Sequence, residues 1–197
     1  MGWSLGYLPP AEPELLDRFF LTIGKALFPA SAFEAKCQLV LRAAKLAQHY
    51  EKTGDASATI DLASALADPL LGQILREMDA LRYFEAADVV LLDAGREARN
   101  FIAHEVGDLR NLWSVQAPHV HERIAVLRHH LDALIAADNV VSRWVYEIEE
   151  KEQAPNQIQQ QYPEWVKGWV FREFNDALRA DGSHATADEA HRRSAKR

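Results

Sequence analysis

Apolar positions recur at helical spacing along most of the chain. Leu15, Phe19, Ile23 and Leu27 repeat every four residues and predict a helix over 14–27. Phe28-Pro29 should end it, because proline lacks an amide hydrogen and its ring crowds the preceding turn. Ser31 followed three residues later by Glu34 has the form of a capping box ahead of Phe33, Cys37, Val40, Leu41 and Ala44, which predicts a new helix that Gly54 stops. A shorter helix is predicted over 57–67. Asp68-Pro69 then supplies an N-cap with proline in the first turn, and Leu70, Leu71, Ile74, Leu75 and Met78 give the next helix its apolar face. A further helix over 85–106 is closed by Gly107, and 108–118 reads as a loop anchored by Trp113. The long helix over 119–151 carries Ile124, Leu127, Leu131, Leu134, Ile135, Val141 and Val145. The polar stretch 153–161, which contains Pro155, reads as a connector to a last helix over 163–180.

No segment alternates with the period of two that a strand requires, so the fold class is all-α, a bundle of five to seven helices. With 197 residues and 48% hydrophobic content the chain can bury one core. The division expected is an irregular lead-in (1–13), a single helical domain (14–180) and a disordered polar tail (181–197). Cys37 is the one cysteine, which excludes an internal disulfide and does not suit a thiolate zinc site. A reducing, cytoplasmic setting is expected. The first residues carry no positive region before an apolar run, and no apolar run approaches the roughly 20 residues that span a bilayer, so neither secretion nor a membrane is expected. A formal net charge of −7 argues against coating nucleic acid with the whole surface.

Candidate chemistry is concentrated in Arg99-Asn100-Phe101-Ile102-Ala103-His104. At 100° per residue, Leu91, Ala94, Ala98, Phe101, Ile102 and Val106 fall on one arc of the helix. Asp93, Arg96, Glu97, Arg99, Asn100 and His104 fall on the other. Asn100 and His104 are four apart and adjacent, whereas Arg99 must bend round to join them. A guanidinium offers permanent forked donors to phosphate oxygens, and an imidazole can move a proton at neutral pH. In RNA, removing the 2′-hydroxyl proton turns that oxygen into an internal nucleophile without any metal. The same residues also describe an ordinary solvated face with a histidine favoured by the helix dipole. Asp93 and Glu97 share the arc, where they either pair with Arg96 or weaken phosphate binding. His119, His121, Glu122, His129 and His130 lack the spacing of a helical zinc signature, so no metal and no cofactor are expected. Trp165 and Trp169, with Phe171 and Phe174 nearby, read as core packing or a dimer seam rather than a base-stacking surface.

Residues Arg99 to Glu105 resemble the signature of the HEPN superfamily, in which Arg, a polar residue, a few mostly apolar positions and His lie on one helix of an α-helical bundle. Leu71-Gly72-Gln73-Ile74-Leu75-Arg76-Glu77 is similar to the helix that often precedes that motif. The resemblance covers about 69–107. It implies a homodimer in which two motif helices meet and line a cleft for metal-independent RNA cleavage. Many members act as toxins of toxin-antitoxin pairs or as phage-defence ribonucleases, held in check by an antitoxin or other inhibitor protein. On this chain the resemblance implies that Arg99 holds phosphate, His104 moves protons or orients the phosphate, and Asn100 positions them. Arg96 is added as a substrate-binding residue from the helical plot. The alternative is a non-catalytic HEPN-like module that docks a nucleotide or a protein through the same face.

Overall fold

The computed structural model describes residues 12–65, 69–81, 85–108 and 116–175, and among them every regular element is a helix. The elements are α1 (Pro13–Thr53), α2 (Ala56–Ala65), α3 (Leu71–Leu81), α4 (Ala86–His104), α5 (Ala117–Glu150) and α6 (Asn156–Val170). After a turn at Phe171 the backbone is helical again over 172–175. The architecture is the all-α bundle that the periodicity predicts. The lead-in over 1–11, Asp68, Trp113 and the tail over 181–197 lie outside the described residues.

The first correction concerns Pro29, which ends nothing. α1 runs unbroken for 41 residues with Pro29 inside it. Proline in a helix interior costs on the order of 3 kcal/mol. That cost is offset because one apolar stripe continues through the site: Ile23, Ala26, Pro29, Ala30, Phe33 and Cys37 are all buried. Ser31 is therefore an exposed mid-helix residue rather than a cap. Glu34 is released from the predicted capping box for another partner. Gly54 does stop the helix, in the left-handed conformation at φ 65°, with its N–H donating to the Tyr50 carbonyl.

The second correction falls on α3. The carbonyl of Leu70 accepts from the N–H groups of Gln73 and Ile74, and the Gln73 side chain accepts from the Leu70 N–H. Leu70 is thus the N-cap, and it is exposed instead of joining Leu71, Ile74 and Met78 in the core. The third is α6, which begins at Asn156 within the predicted connector and carries Pro163 in its interior. The side-chain amide of Asn139 donates to the Gln159 carbonyl, and the Tyr162 hydroxyl donates to the Asp138 carboxylate, so α5 holds this polar segment in place.

Partner spacing gives the directions. Ala117 meets Glu12, Lys36 meets Asp138 and Lys36 meets Ser142, separations of 105, 102 and 106 residues, so α1 and α5 run parallel in constant register. α4 runs antiparallel to α5, as Asp88 meets Arg143, Gly95 meets Ala137 and Phe101 stacks on His130. α6 is also antiparallel to α5, through Asn139 with Gln159 and Asp132 with Lys167. α4 and α6 thus flank the parallel pair.

Gly95 is where α4 comes closest to that pair. A β-carbon there would stand 2.3 Å from the Ala137 Cβ and 3.1 Å from the Phe33 Cζ, so the contact is built for a residue with no side chain. Gly95→Ala is expected to destabilise the protein by about 1–3 kcal/mol in urea unfolding, even though alanine is the better helix former by about 1 kcal/mol.

Buried Cys37 and partly buried Tyr162 each weaken the fold at high pH. Burial, then the Asp138 carboxylate, pushes the Cys37 thiol far up; burial, then the charge and hydrogen bond of Asp138, does the same to the Tyr162 phenol. The unfolded chain releases these protons near pH 8.5 and 10, while the folded chain keeps them. Their contribution to stability is therefore level below about pH 8.5 and falls as pH rises towards 11. Urea midpoints between pH 7.5 and 11 measure this, and Cys37→Ala removes the part that begins near pH 8.5.

Candidate functional site

α4 is placed by its buried side, Leu92, Gly95, Ala98, Phe101 and Ile102, with Val106 buried just beyond its end. Leu92 rather than Leu91 belongs to that side, a shift of one position from the predicted arc, because Gly95 turns the close contact towards α5. Phe101 stacks on the His130 ring at 3.9 Å, interplanar angle 16°. Burial, then the neighbouring His129, lowers the His130 pKa, which favours the neutral imidazole against the phenyl face. The helix finishes with the Glu105 and Val106 N–H groups both donating to the Phe101 carbonyl. His104 occupies the last turn.

The polar arc is more occupied than the sequence suggests. Arg99 is half-buried and held from two sides: Nη1 donates to the Asn100 Oδ1 at 3.2 Å, and Nη2 donates to the Glu34 Oε2 of α1 at 2.5 Å. Arg96 turns back along its own helix, with Nε and Nη2 each 2.9 Å from the Asp93 Oδ1 and Nη2 3.7 Å from Glu97. The His104 side chain is exposed and, among the described residues, makes no hydrogen bond or ion pair. The structure thus brings Arg99 and Asn100 together. It leaves the His104 side chain one turn on, joined to theirs by no hydrogen bond or ion pair among the described residues. Arg96 forms the pair with Asp93 and Glu97 that its position on the arc allows.

Glu34 is the residue the sequence concealed. With Ser31 three places before it, it reads as a capping glutamate. On a continuous helix it lies beside Phe33 at the edge of the buried stripe, where a half-buried carboxylate needs a cation. The Glu34 and Arg99 side chains are 22% and 24% exposed, so the pair is neither a loose surface contact nor a sealed one.

Around Arg96 the groove between α3 and α4 has a volume of about 510 Å³, with Leu75, Met78, Val89 and Leu92 as apolar walls and Arg76, Asp79, Asp93 and Arg96 at its polar edge. A larger hollow of about 740 Å³ lies elsewhere, where α1 and α5 begin, between Leu15, Arg18, His121, Ile124, Arg128 and Phe174. The described histidines of α5 serve other contacts. His119 accepts the Gln116 N–H as a cap, His121 meets the edge of Phe174, and no three metal-binding side chains converge among the described residues. No helix among those residues is long and apolar enough to cross a membrane.

Comparison of the chain with protein-family models, with curated proteins and with solved structures finds no match. The chemistry of α4 is therefore the basis for a functional reading. Glu34 fixes the direction of the Arg99 guanidinium and cancels part of its charge. Glu34→Gln keeps the size but removes the charge. It is expected to cost no more than about 1 kcal/mol in urea unfolding, since the pair is solvent-screened, and the loss should shrink as salt is raised.

Proposed function

We propose that the protein is a metal-independent endoribonuclease of HEPN type, acting as a toxin or defence nuclease, whose cleft is completed by a second copy of the chain. The observation that carries this reading is the pairing of Arg99 and Asn100, oriented by Glu34, on the same helix end as an exposed His104 whose side chain has no hydrogen-bond or ion-pair partner among the described residues. A guanidinium gripped on two edges keeps its remaining N–H groups pointed in a fixed direction, which is how a donor is readied for a phosphate oxygen. His104 is accessible to a substrate hydroxyl and is not committed to another group among the described residues.

In this reading the imidazole of one His104 takes the proton of the 2′-hydroxyl. The 2′-oxygen bonds to phosphorus, and the bond from phosphorus to the 5′-oxygen breaks. The departing oxygen receives a proton from the His104 of the second copy, which leaves a cyclic phosphate and a 5′-hydroxyl. Arg99 carries the charge that builds on the phosphoryl oxygens.

A second reading has its own support. Both arginines of the arc, Arg96 and Arg99, are already ion-paired within the chain, and the net charge is −7. That suits a non-catalytic module that binds a nucleotide or an inhibitor protein rather than turning over RNA. Single-stranded RNA incubated with the protein in EDTA separates the two. Cleavage is expected, with Arg99→Ala and His104→Ala each lowering the rate about 100-fold or more at unchanged helicity. Variants that cut like the parent reject the site. Thermal stabilisation by a nucleotide without RNA turnover selects the second reading.

A further inference from the structure

The hollow where α1 and α5 begin shares no lining residue with the polar arc of α4. Ala117, His121, Ile124, Ala125 and Arg128 form one stripe of α5 along it, about 16 Å from end to end at the rise of an α-helix. Leu15 and Arg18, on the first two turns of α1, form the opposite wall, and Phe174 closes one side. Ile124 and Phe174 are each 5% exposed, so the apolar lining belongs to the core and does not protrude from it. The volume of about 740 Å³ is that of a small-molecule site.

Arg128 sets the chemistry of this hollow. Its guanidinium carbon lies 4.0 Å from the centre of the Phe171 ring, and Nη2 donates to the Asn175 Oδ1 at 2.9 Å. Both partners are neutral. Burial lowers the Arg128 pKa against the opposing effect of Asp132, and that carboxylate is itself held by Lys167 at 3.3 Å. Arg96 and Arg99 are bound to carboxylates, whereas Arg128 makes no ion pair among the described residues. Asn175 takes one of the five donors of this partly dehydrated cation, and the stacked ring fixes its plane. Acidic groups limit what can enter. Glu12 and Glu14 line the far end, and Asp17 and Glu122 are exposed beside Arg18 and His121. Glu12 is already engaged, accepting from the Ala117 N–H at 3.2 Å. Such a rim repels RNA or a nucleotide triphosphate. A single carboxylate matches the planar fork of Arg128 and brings only one charge past the rim.

We propose that this hollow binds a small monocarboxylate with an aromatic or branched aliphatic body, its carboxylate on Arg128 and its body against Leu15, Ile124 and Phe174. The carboxylate takes donors that Asn175 leaves, and Arg18 adds positive charge from the α1 wall. Apolar carbon then covers the core residues that line the hollow. The site is independent of the ribonuclease reading, because it uses no residue of α4 and is read by ligand binding, not by RNA turnover.

Isothermal titration calorimetry of the full chain with 4-phenylbutyrate tests it. Saturable binding of one molecule per chain is expected, with a Kd of about 1 mM or tighter. The uncharged 4-phenylbutan-1-ol should bind about tenfold more weakly or not at all, and Arg128→Gln should weaken binding of the acid by a similar factor at unchanged circular dichroism. Ala125→Trp fills the groove from an exposed position and should abolish binding while leaving the guanidinium in place. Glu14→Gln removes a repelling charge and is expected to tighten binding about twofold. His104→Ala should leave the affinity unchanged, as should Trp165→Glu on the exposed aromatic pair of α6. An alcohol that binds as tightly as the acid overturns the proposal, as does an Arg128→Gln variant with the parent's affinity. Absence of saturable binding up to about 10 mM does the same. Binding lost in Trp165→Glu and kept in Arg128→Gln would overturn it by assigning the ligand to α6.

Discussion

The Asp138 carboxylate has no exposed surface, and the bundle's register is built around satisfying it. Lys36 of α1 donates to both of its oxygens at 2.7 and 2.8 Å and to Ser142 at 2.8 Å, while Tyr162 of α6 donates from the other side. A charge taken out of water at this depth is tolerated only with such partners, and removing one of them costs on the order of 3–5 kcal/mol. Apolar packing sets how closely the helices approach, and this carboxylate adds directed hydrogen bonds that fit one register. It fixes α1 against α5 and pins the polar, proline-containing α6 to both.

The candidate site inherits that register. With α1 and α5 locked in parallel, Phe33 and Ala137 together form the shallow seat into which Gly95 fits. Arg99 is one turn beyond Gly95 on α4, and Glu34 is the next residue after Phe33 on α1. The ion pair and the helix contact are thus successive rungs of one ladder. The electrostatics of the polar arc follow from core packing: where α4 can approach closely, its next arginine arrives at the α1 carboxylate. His104, a further turn and more along, has passed beyond the reach of this ladder and remains in water.

Most helices were legible because their apolar stripes are long, and α5 was read to within about two residues at each end. Errors came where a local signal competed with a stripe extending across it. Phe28-Pro29 and the Ser31 to Glu34 spacing are strong local signals, but Ile23, Ala26, Ala30 and Phe33 bury on both sides of them and hold the helix through. In α6 the signal was too weak instead. Asn156 to Gln161 is polar, and its helix depends on contacts with Asn139 and Asp138 that no local window contains. The site was legible in its residue types and in the outward direction of its arc. Its ion pairing was half legible: Asp93 and Glu97 are neighbours in sequence to Arg96, whereas Glu34 is 65 residues from Arg99 and had a plausible local role of its own.

That pairing changes what the arc means. A surface arginine is ready for any anion, but Arg99 starts from a bond to a carboxylate, and an incoming phosphate must either share the guanidinium with Glu34 or displace it. Sharing is chemically possible, because a guanidinium has five donors and two are used by Asn100 and Glu34. Displacement would strand a half-buried carboxylate, which is unfavourable unless another cation replaces the first. A phosphate that shares is held in one orientation and its affinity is low, since the nearby negative charge remains. Such an arrangement discriminates by geometry more than by charge. It fits the acidic balance of the whole chain, which gives little long-range attraction for nucleic acid and leaves selectivity to the few donors that Glu34 keeps in line.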